Sequence, residues 1–313
     1  MSSPAFRFAP SPNGRLHLGH VWSALQNVGM ARKTGGRFLL RIEDIDTARC
    51  TPELERLMLE DLRWLGFQWE EPVRRQSEHF GDYGNALSTL REMDLIYPSF
   101  LTRADIRNHV REASKAGIGW PIDPDGAPLS PVEERDMPAS ERARRIAAGK
   151  PFAWRLNMDR AVSLAGEGLG WNETGLGPDA EKGLARAQPE RWGDVILARK
   201  EMPTSYHLSV VIDDALQQIT NVVRGRDLFH ATSVQRLLQK LLSLPEPVYH
   251  HHSLVLGEDG RKLSKSRGDT AIAALRDQGQ SPQDVLRLAG RQAADLKQSQ
   301  PSLEEGEECE RQK

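Results

Sequence analysis

The stretch RFAPSPNGRLHLGH, residues 7–20, decides how the rest of the chain is read. It continues a short apolar run, AFRFA (5–9), that has the character of a buried strand. A loop punctuated by Pro10, Pro12 and Gly14 follows, then a helical pattern from about Leu18 to Thr34, stopped by Gly35-Gly36. A loop entering a helix N-terminus suits an anion, because free backbone N–H groups and the helix dipole favour negative charge. Two of the chain's nine histidines, His17 and His20, sit at that point. Two readings are open: ordinary surface residues of a helix start, or donors aimed at a phosphoryl group. Gly19 between them lets a flat ring approach the backbone closely.

Working outward, RFLLRIED (37–44) reads as a second strand. ELERLMLEDLRWLG (53–66) carries apolar residues at 54, 57, 58, 62 and 65, which is helical spacing, and residues 81–94 form another helix. Strand, helix, strand, helix predicts an α/β domain of Rossmann type with a parallel sheet. Residues 115–130 and 163–190 are rich in Gly, Pro, Asp and Glu, so residues 98–190 read as an α+β insertion. The catalytic domain is then residues 1–97 and 191–270. DVILARK (194–200), YHLSVVIDDAL (206–216) and ITNVVRG (219–225) return to strand character, and ATSVQRLLQKLLSLP (231–245) is helical. A strand begins at His251, residues 271–297 form a short C-terminal helical segment, and the polar stretch 298–313 reads as a disordered tail.

At 313 residues the chain is long enough for about two domains. A net charge of −2, from 42 basic and 44 acidic residues, excludes a generally basic nucleic-acid coat but leaves room for a local patch. Cys50 and Cys309 form no spaced set, which argues against a disulfide scaffold or a cysteine zinc site. The start lacks a signal-peptide core, and no apolar run approaches the roughly 20 residues that cross a bilayer. The expectation is a soluble cytoplasmic monomer with no membrane partner.

A second stretch carries chemistry. Lys262-Leu263-Ser264-Lys265-Ser266 puts two lysines and two hydroxyls in one loop. A short charge run is usually a solvated loop, yet this one suits a polyphosphate whose charge shifts during reaction. Either motif alone is weak evidence. Together, at opposite ends of an α/β core, they are strong.

HLGH and KLSKS resemble the "HIGH" and "KMSKS" signatures of class I aminoacyl-tRNA synthetases. RFAPSPNGRLHLGH and LLRIEDIDTAR are closer still to the glutamyl branch, and SYHLSVVIDD and NVVRGRDL resemble its pocket segments. The resemblance covers about residues 5–270. It implies ATP-dependent activation of L-glutamate, with Mg²⁺ bridging phosphate oxygens, and transfer of the glutamate to a tRNA. His17 and His20, with Gly19, would hold the α-phosphate, and Lys265, helped by Lys262, the leaving pyrophosphate. The residues matching the family's glutamate-binding positions are Arg7, Phe8, Ala9, Pro10, Ser11, Glu43, Tyr206 and Arg224. Arg7 and Arg224 are the candidate carboxylate forks and Glu43 the ammonium partner. Without the resemblance, Arg41, Glu43, Asp44 and Asp46 read as a surface salt-bridge network.

Two departures narrow the expectation. Many relatives carry a zinc site opening with Cys-x-Cys; here Ser99 and Leu101 stand at those positions, so no zinc is expected. The insertion would instead be held by packing through Phe100, Ile106 and Trp120. His250-His251-His252 offers no metal site either, since neighbours on a strand point to opposite faces. Length is the other departure. In a chain of 313, only 45 residues follow Gly268, fewer than the roughly 50 of a small domain. The chain thus resembles the stand-alone cores of this branch, which esterify glutamate to queuosine in the tRNA(Asp) anticodon. Three other readings stay open: a truncated enzyme charging the tRNA 3′ end, a glutaminyl relative, and a non-catalytic tRNA-binding paralogue.

Overall fold

The computed structural model describes residues 3–256 and 271–298. The strands are β1 (Ala5–Phe8), β2 (Arg37–Ile42), β3 (Glu70–Arg75), β4 (Ile96–Ser99), β5 (Ala153–Leu156), β6 (Gly170–Glu173), β7 (Gly183–Arg186), β8 (Ile196–Arg199), β9 (Asn221–Gly225) and β10 (Val248–His252). The helices are α1 (Leu18–Thr34), α2 (Pro52–Trp64), α3 (Phe80–Glu92), α4 (Arg103–Lys115), α5 (Ala139–Ala147), α6 (Met158–Ala165), α7 (Tyr206–Leu216), α8 (Thr232–Leu241), α9 (Ile272–Asp277) and α10 (Pro282–Gln298).

Seven strands form one sheet in the order β3-β2-β1-β9-β10-β6-β7, parallel except for the β6–β7 hairpin at its edge. Strand order reverses between β1 and β9. In an open α/β sheet the ligand crevice lies at such a reversal, beyond the carboxyl ends of the strands. The Pro/Gly loop and Arg224 both sit there. A smaller antiparallel sheet, β4-β5-β8, stands beside it.

The α1 boundaries follow from local chemistry. His17 is the N-cap, and Gly35 ends the helix at φ 61°, a left-handed conformation that glycine adopts without a Cβ clash. α1 lays Leu18, Val21, Ala24 and Val28 into a buried cluster with Phe8, Leu40, Ile42, Met58 and Leu62. A second cluster joins α3, α6, α7 and α8 to the small sheet through Tyr83, Leu90, Leu156, Met158, Leu197, Leu208 and Val234.

Two sequence expectations are corrected. YHLSVVIDDAL is not a strand but α7, which buries Leu208 through Asp214 without a break. A helix buried on nearly every side has no amphipathic period to separate it from a buried strand. The start signal was Ser205, whose Oγ caps the helix by accepting the Leu208 N–H at 3.4 Å. Residues 170–186, assigned to the insertion, instead extend the main sheet, because β6 pairs with β10. The Lys262–Ser266 loop and the tail beyond 298 lie outside the described residues.

Candidate active site

Both histidines of HLGH are wired into the start of α1. The Gly19 N–H donates to His17 Nδ1 at 3.1 Å, and the His17 N–H donates to His20 Nδ1 at 3.2 Å. With Nδ1 accepting, each neutral ring carries its proton on Nε2, so each presents an N–H donor. The rings lie 3.8 Å apart, centroid to centroid. A Cβ on Gly19 would stand 3.0 Å from the His17 ring, so the ring that glycine admits is His17's own.

Behind the loop lies a buried charge network. Arg7 grips Asp214 with Nε at 3.0 Å and Nη2 at 3.4 Å. Arg41 donates from Nη1 to Asp214 at 2.8 Å and to Gln217 at 3.0 Å, and from Nη2 to Glu43 at 3.3 Å. Asp213 accepts from Arg74 and Gln76, each at 2.7 Å, and from the Tyr83 hydroxyl at 2.9 Å. Burial pushes the Asp214 carboxyl up, but Arg7 and Arg41 more than offset this and hold it below its ordinary value. Burial also pushes Glu43 up, against the pull of Arg41 and Arg7. Arg41 is therefore no part of a surface network: its side chain is 0 % exposed. Asp44 accepts from Ser77 N at 2.9 Å, while Asp46 pairs with exposed Arg49.

Arg224 is held differently. Its Nε donates to His251 Nε2 at 3.1 Å, Nη1 to the Tyr206 hydroxyl at 3.3 Å, and Nη2 to Thr232 Oγ1 at 2.7 Å and Leu228 O at 3.2 Å. All four partners are neutral; among the described residues no carboxylate pairs with it. Tyr206 opens onto a cleft of about 390 Å³ lined also by Ser11, Glu43, Asp46, Arg199 and His207. The structure thus gathers Ser11, Glu43 and Tyr206 at one cleft, with Arg224 on Tyr206 and Arg7 behind. Arg7 spends two donors on Asp214, so the simple fork expected of it is partly taken. Phe8 packs into the core, Ala9 is half-buried, and Pro10 fixes Glu43 by accepting its N–H at 3.1 Å. Lys262 and Lys265 lie outside the described residues.

At the positions of the relatives' zinc ligands, the Ser99 hydroxyl donates to Glu134 at 2.7 Å, and the Phe100 and Leu101 N–H groups reach the same carboxylate oxygen. A hydroxyl and an aliphatic side chain do not fit an ion that takes thiolate, imidazole or carboxylate. Phe100 packs on Phe152 at 5.7 Å, and Trp120 Nε1 donates to Leu129 O at 2.9 Å.

The sequence reading put Arg41 on the surface, gave His251 no partner, and passed over Asp213, Asp214 and Glu173. Two adjacent acids in an apolar run, VVIDDAL, were a legible signal for buried carboxylates. The three histidines of β10 go to separate partners: His250 meets Thr174, His251 meets Arg224, and His252 stands edge-on to Trp22 at 6.2 Å.

Residues 5–312 match the family described as tRNA synthetases class I (E and Q), catalytic domain. A Glutamyl-Q tRNA(Asp) synthetase of Rhodobacter capsulatus is 47% identical over 288 residues, 91% of this chain and 99% of that protein. A glutamate–tRNA ligase of Aquifex aeolicus is 36% identical over 286 residues, but the chain spans only 56% of its length. Among solved structures, a glutamate tRNA ligase of Elizabethkingia meningosepticum superposes with a TM-score of 0.69 at 28% identity, over 85% of this chain and 53% of that one.

Proposed function

The chain belongs to the class I tRNA synthetases of the glutamate and glutamine type, and we propose that it activates L-glutamate with ATP and loads it onto queuosine in the anticodon of tRNA(Asp). The observation that carries the amino-acid half is a cleft lined by Glu43 and Tyr206, with buried Arg224 on the Tyr206 hydroxyl and buried Arg7 behind on Asp214, beside the histidine-capped start of α1. Arg224, with no carboxylate on it among the described residues, suits a substrate carboxylate, and Glu43 suits the ammonium. The acceptor half is supported by the Rhodobacter capsulatus relative, whose length the chain spans almost completely.

In the first step a carboxylate oxygen of glutamate attacks the α-phosphorus of ATP. The new C–O–P bond forms as the bond to the β-phosphate oxygen breaks, and pyrophosphate leaves. His17 and His20 meet the charge that grows on the α-phosphate oxygens, together with the N-terminal end of α1. Lys265 and Lys262 take the charge of the leaving pyrophosphate. Mg²⁺ accompanies ATP as its counter-ion. In the second step a ring hydroxyl of queuosine attacks the glutamyl carbonyl, AMP leaves, and the hydroxyl proton is lost.

The test is glutamate-dependent ATP–pyrophosphate exchange without tRNA, followed by transfer of labelled glutamate to tRNA. Exchange with glutamate but not glutamine, and transfer that requires queuosine, are expected. Exchange with glutamine alone, or none, overturns the reading.

A further inference from the structure

Arg224 is held by a chain of buried groups that no catalytic step uses. His251 lies between Arg224 and Glu173: its Nε2 is 3.1 Å from Arg224 Nε, and its Nδ1 is 2.6 Å from Glu173 Oε2. A guanidinium nitrogen can only donate, so Nε2 must be the acceptor. The imidazole is therefore neutral, with its proton on Nδ1 given to Glu173. Glu173 is itself fixed. Its Oε1 accepts the His251 N–H at 2.9 Å and the Gly175 N–H at 2.8 Å, and Oε2 accepts Trp171 Nε1 at 3.2 Å. Glu173 and His251 are each 1 % exposed. Gly175 is required for this approach, because a Cβ there would meet the His251 carbonyl oxygen at 2.3 Å.

We infer that Glu173 and His251 are positioning residues for Arg224, fixing its guanidinium on a neutral imidazole so that its charge stays available to a substrate carboxylate. The inference deepens the proposed function and rests on it. A carboxylate paired directly with Arg224 would form the strong fork that a substrate carboxylate needs, and would have to be displaced. An imidazole orients the guanidinium without neutralising it at contact. Thr232, Leu228 and Tyr206 take three more of its N–H groups, leaving one Nη1 hydrogen beside the Tyr206 hydroxyl. Tyr206, which accepts from Nη1, lines the cleft, and Arg224 stands behind it. Arg7 shows the opposite arrangement, with a carboxylate directly on its fork. The hairpin β6–β7 added to the sheet edge is what delivers Glu173 to β10.

Buried polar pairs often serve stability alone, so the test must separate the two roles. His251→Ala, His251→Gln and Glu173→Gln are compared with wild type in glutamate-dependent ATP–pyrophosphate exchange, with melting temperatures measured in parallel. A glutamine at 251 can donate to Glu173 and accept from Arg224, so it keeps both contacts. His251→Ala should raise the glutamate KM roughly tenfold or more, the scale of disorienting one charged hydrogen-bonding group, and leave the ATP KM unchanged. His251→Gln should restore most of the loss, and Glu173→Gln should raise the glutamate KM. An unchanged glutamate KM in folded His251→Ala overturns the inference. So does an equal rise in both KM values that glutamine does not rescue. If His251→Ala does not fold, an unchanged glutamate KM in Glu173→Gln overturns it. Wild type that exchanges without regard to glutamate overturns the functional reading, and this inference with it.

Discussion

The charges behind the cleft and the charges on α4 and α5 look alike in sequence and behave oppositely in the fold. Arg41 on β2 and Asp213 on α7 have fully buried side chains, pair with each other at 3.8 Å, and reach on to Asp214 and to Arg74 of β3. α4 and α5 bury no residue at all. Their pairs, Glu112 with Lys115 and Glu141 with Arg144 and Arg145, are one helical turn apart, and each keeps a quarter or more of both side chains in water. An exposed pair gains little because water screens it and two long side chains lose freedom. A buried pair also gains little over an apolar substitute, but removing one partner strands the other in a medium that cannot solvate it. The lesson is that the position of a charge, not the number of its pairs, decides what its loss does.

Asp214→Ala should be the sharpest break. It leaves Arg7 and Arg41 without their shared carboxylate. The expected loss is about 3–5 kcal/mol in urea unfolding, with exchange activity lost as well. A variant with wild-type stability would mean the buried network holds nothing together.

Arg224→Ala should come next. A substrate carboxylate that loses a charged hydrogen bond gives up about 1.5–3 kcal/mol, roughly a 10- to 100-fold rise in the glutamate KM, with the ATP KM held. Equal weakening of both substrates would make Arg224 structural.

Acid should act on the buried side too. Burial pushes His207, His251 and His252 down to about 4 from an ordinary 6.5. Between those values the unfolded chain binds protons that the folded chain refuses. Stability is then full above about pH 6.5 and is lost as pH falls toward 4. Burial also pushes Glu173 up, but His251 and the backbone more than offset it and hold it at about 2, so its share is lost from about 4.5 downward. Urea midpoints measured across this range should decline steadily; a flat profile would contradict the assignment of neutral buried histidines.

Glu141→Ala should do least. It removes the two ion pairs that Glu141 makes on α5, neither of them buried, and neither the melting temperature nor exchange should change measurably. A clear drop would erase the contrast between the two regions.

What the sequence made legible follows the same division. The β1-loop-α1 unit was readable because glycine, proline and apolar periodicity act locally, and α1 runs from Leu18 to Thr34 as its caps predict. Ser11, Glu43 and Tyr206, which line one cleft, and Arg224 behind Tyr206 were singled out only through resemblance, since charge alone made Arg41 and Glu43 look like surface. α7 was misread because full burial removes its period. The Glu173–His251 contact joins residues 78 apart through β6 and β10, and no local pattern announces such a pair.

The central claim is that activated glutamate goes to the anticodon, and the most direct measurement is where label appears on tRNA(Asp). Purified protein, ATP and labelled glutamate are given queuosine-bearing tRNA(Asp) and its guanosine counterpart, each with and without the 3′-terminal adenosine. The account predicts label on the queuosine form alone, undiminished by removal of that adenosine, and recovered in the anticodon fragment after nuclease cleavage. An anticodon loop offers unpaired bases that a protein can splay and read, and queuosine adds the hydroxyl nucleophile. Label that ignores queuosine and vanishes with the terminal adenosine would contradict it, and would make this a synthetase that charges the 3′ end.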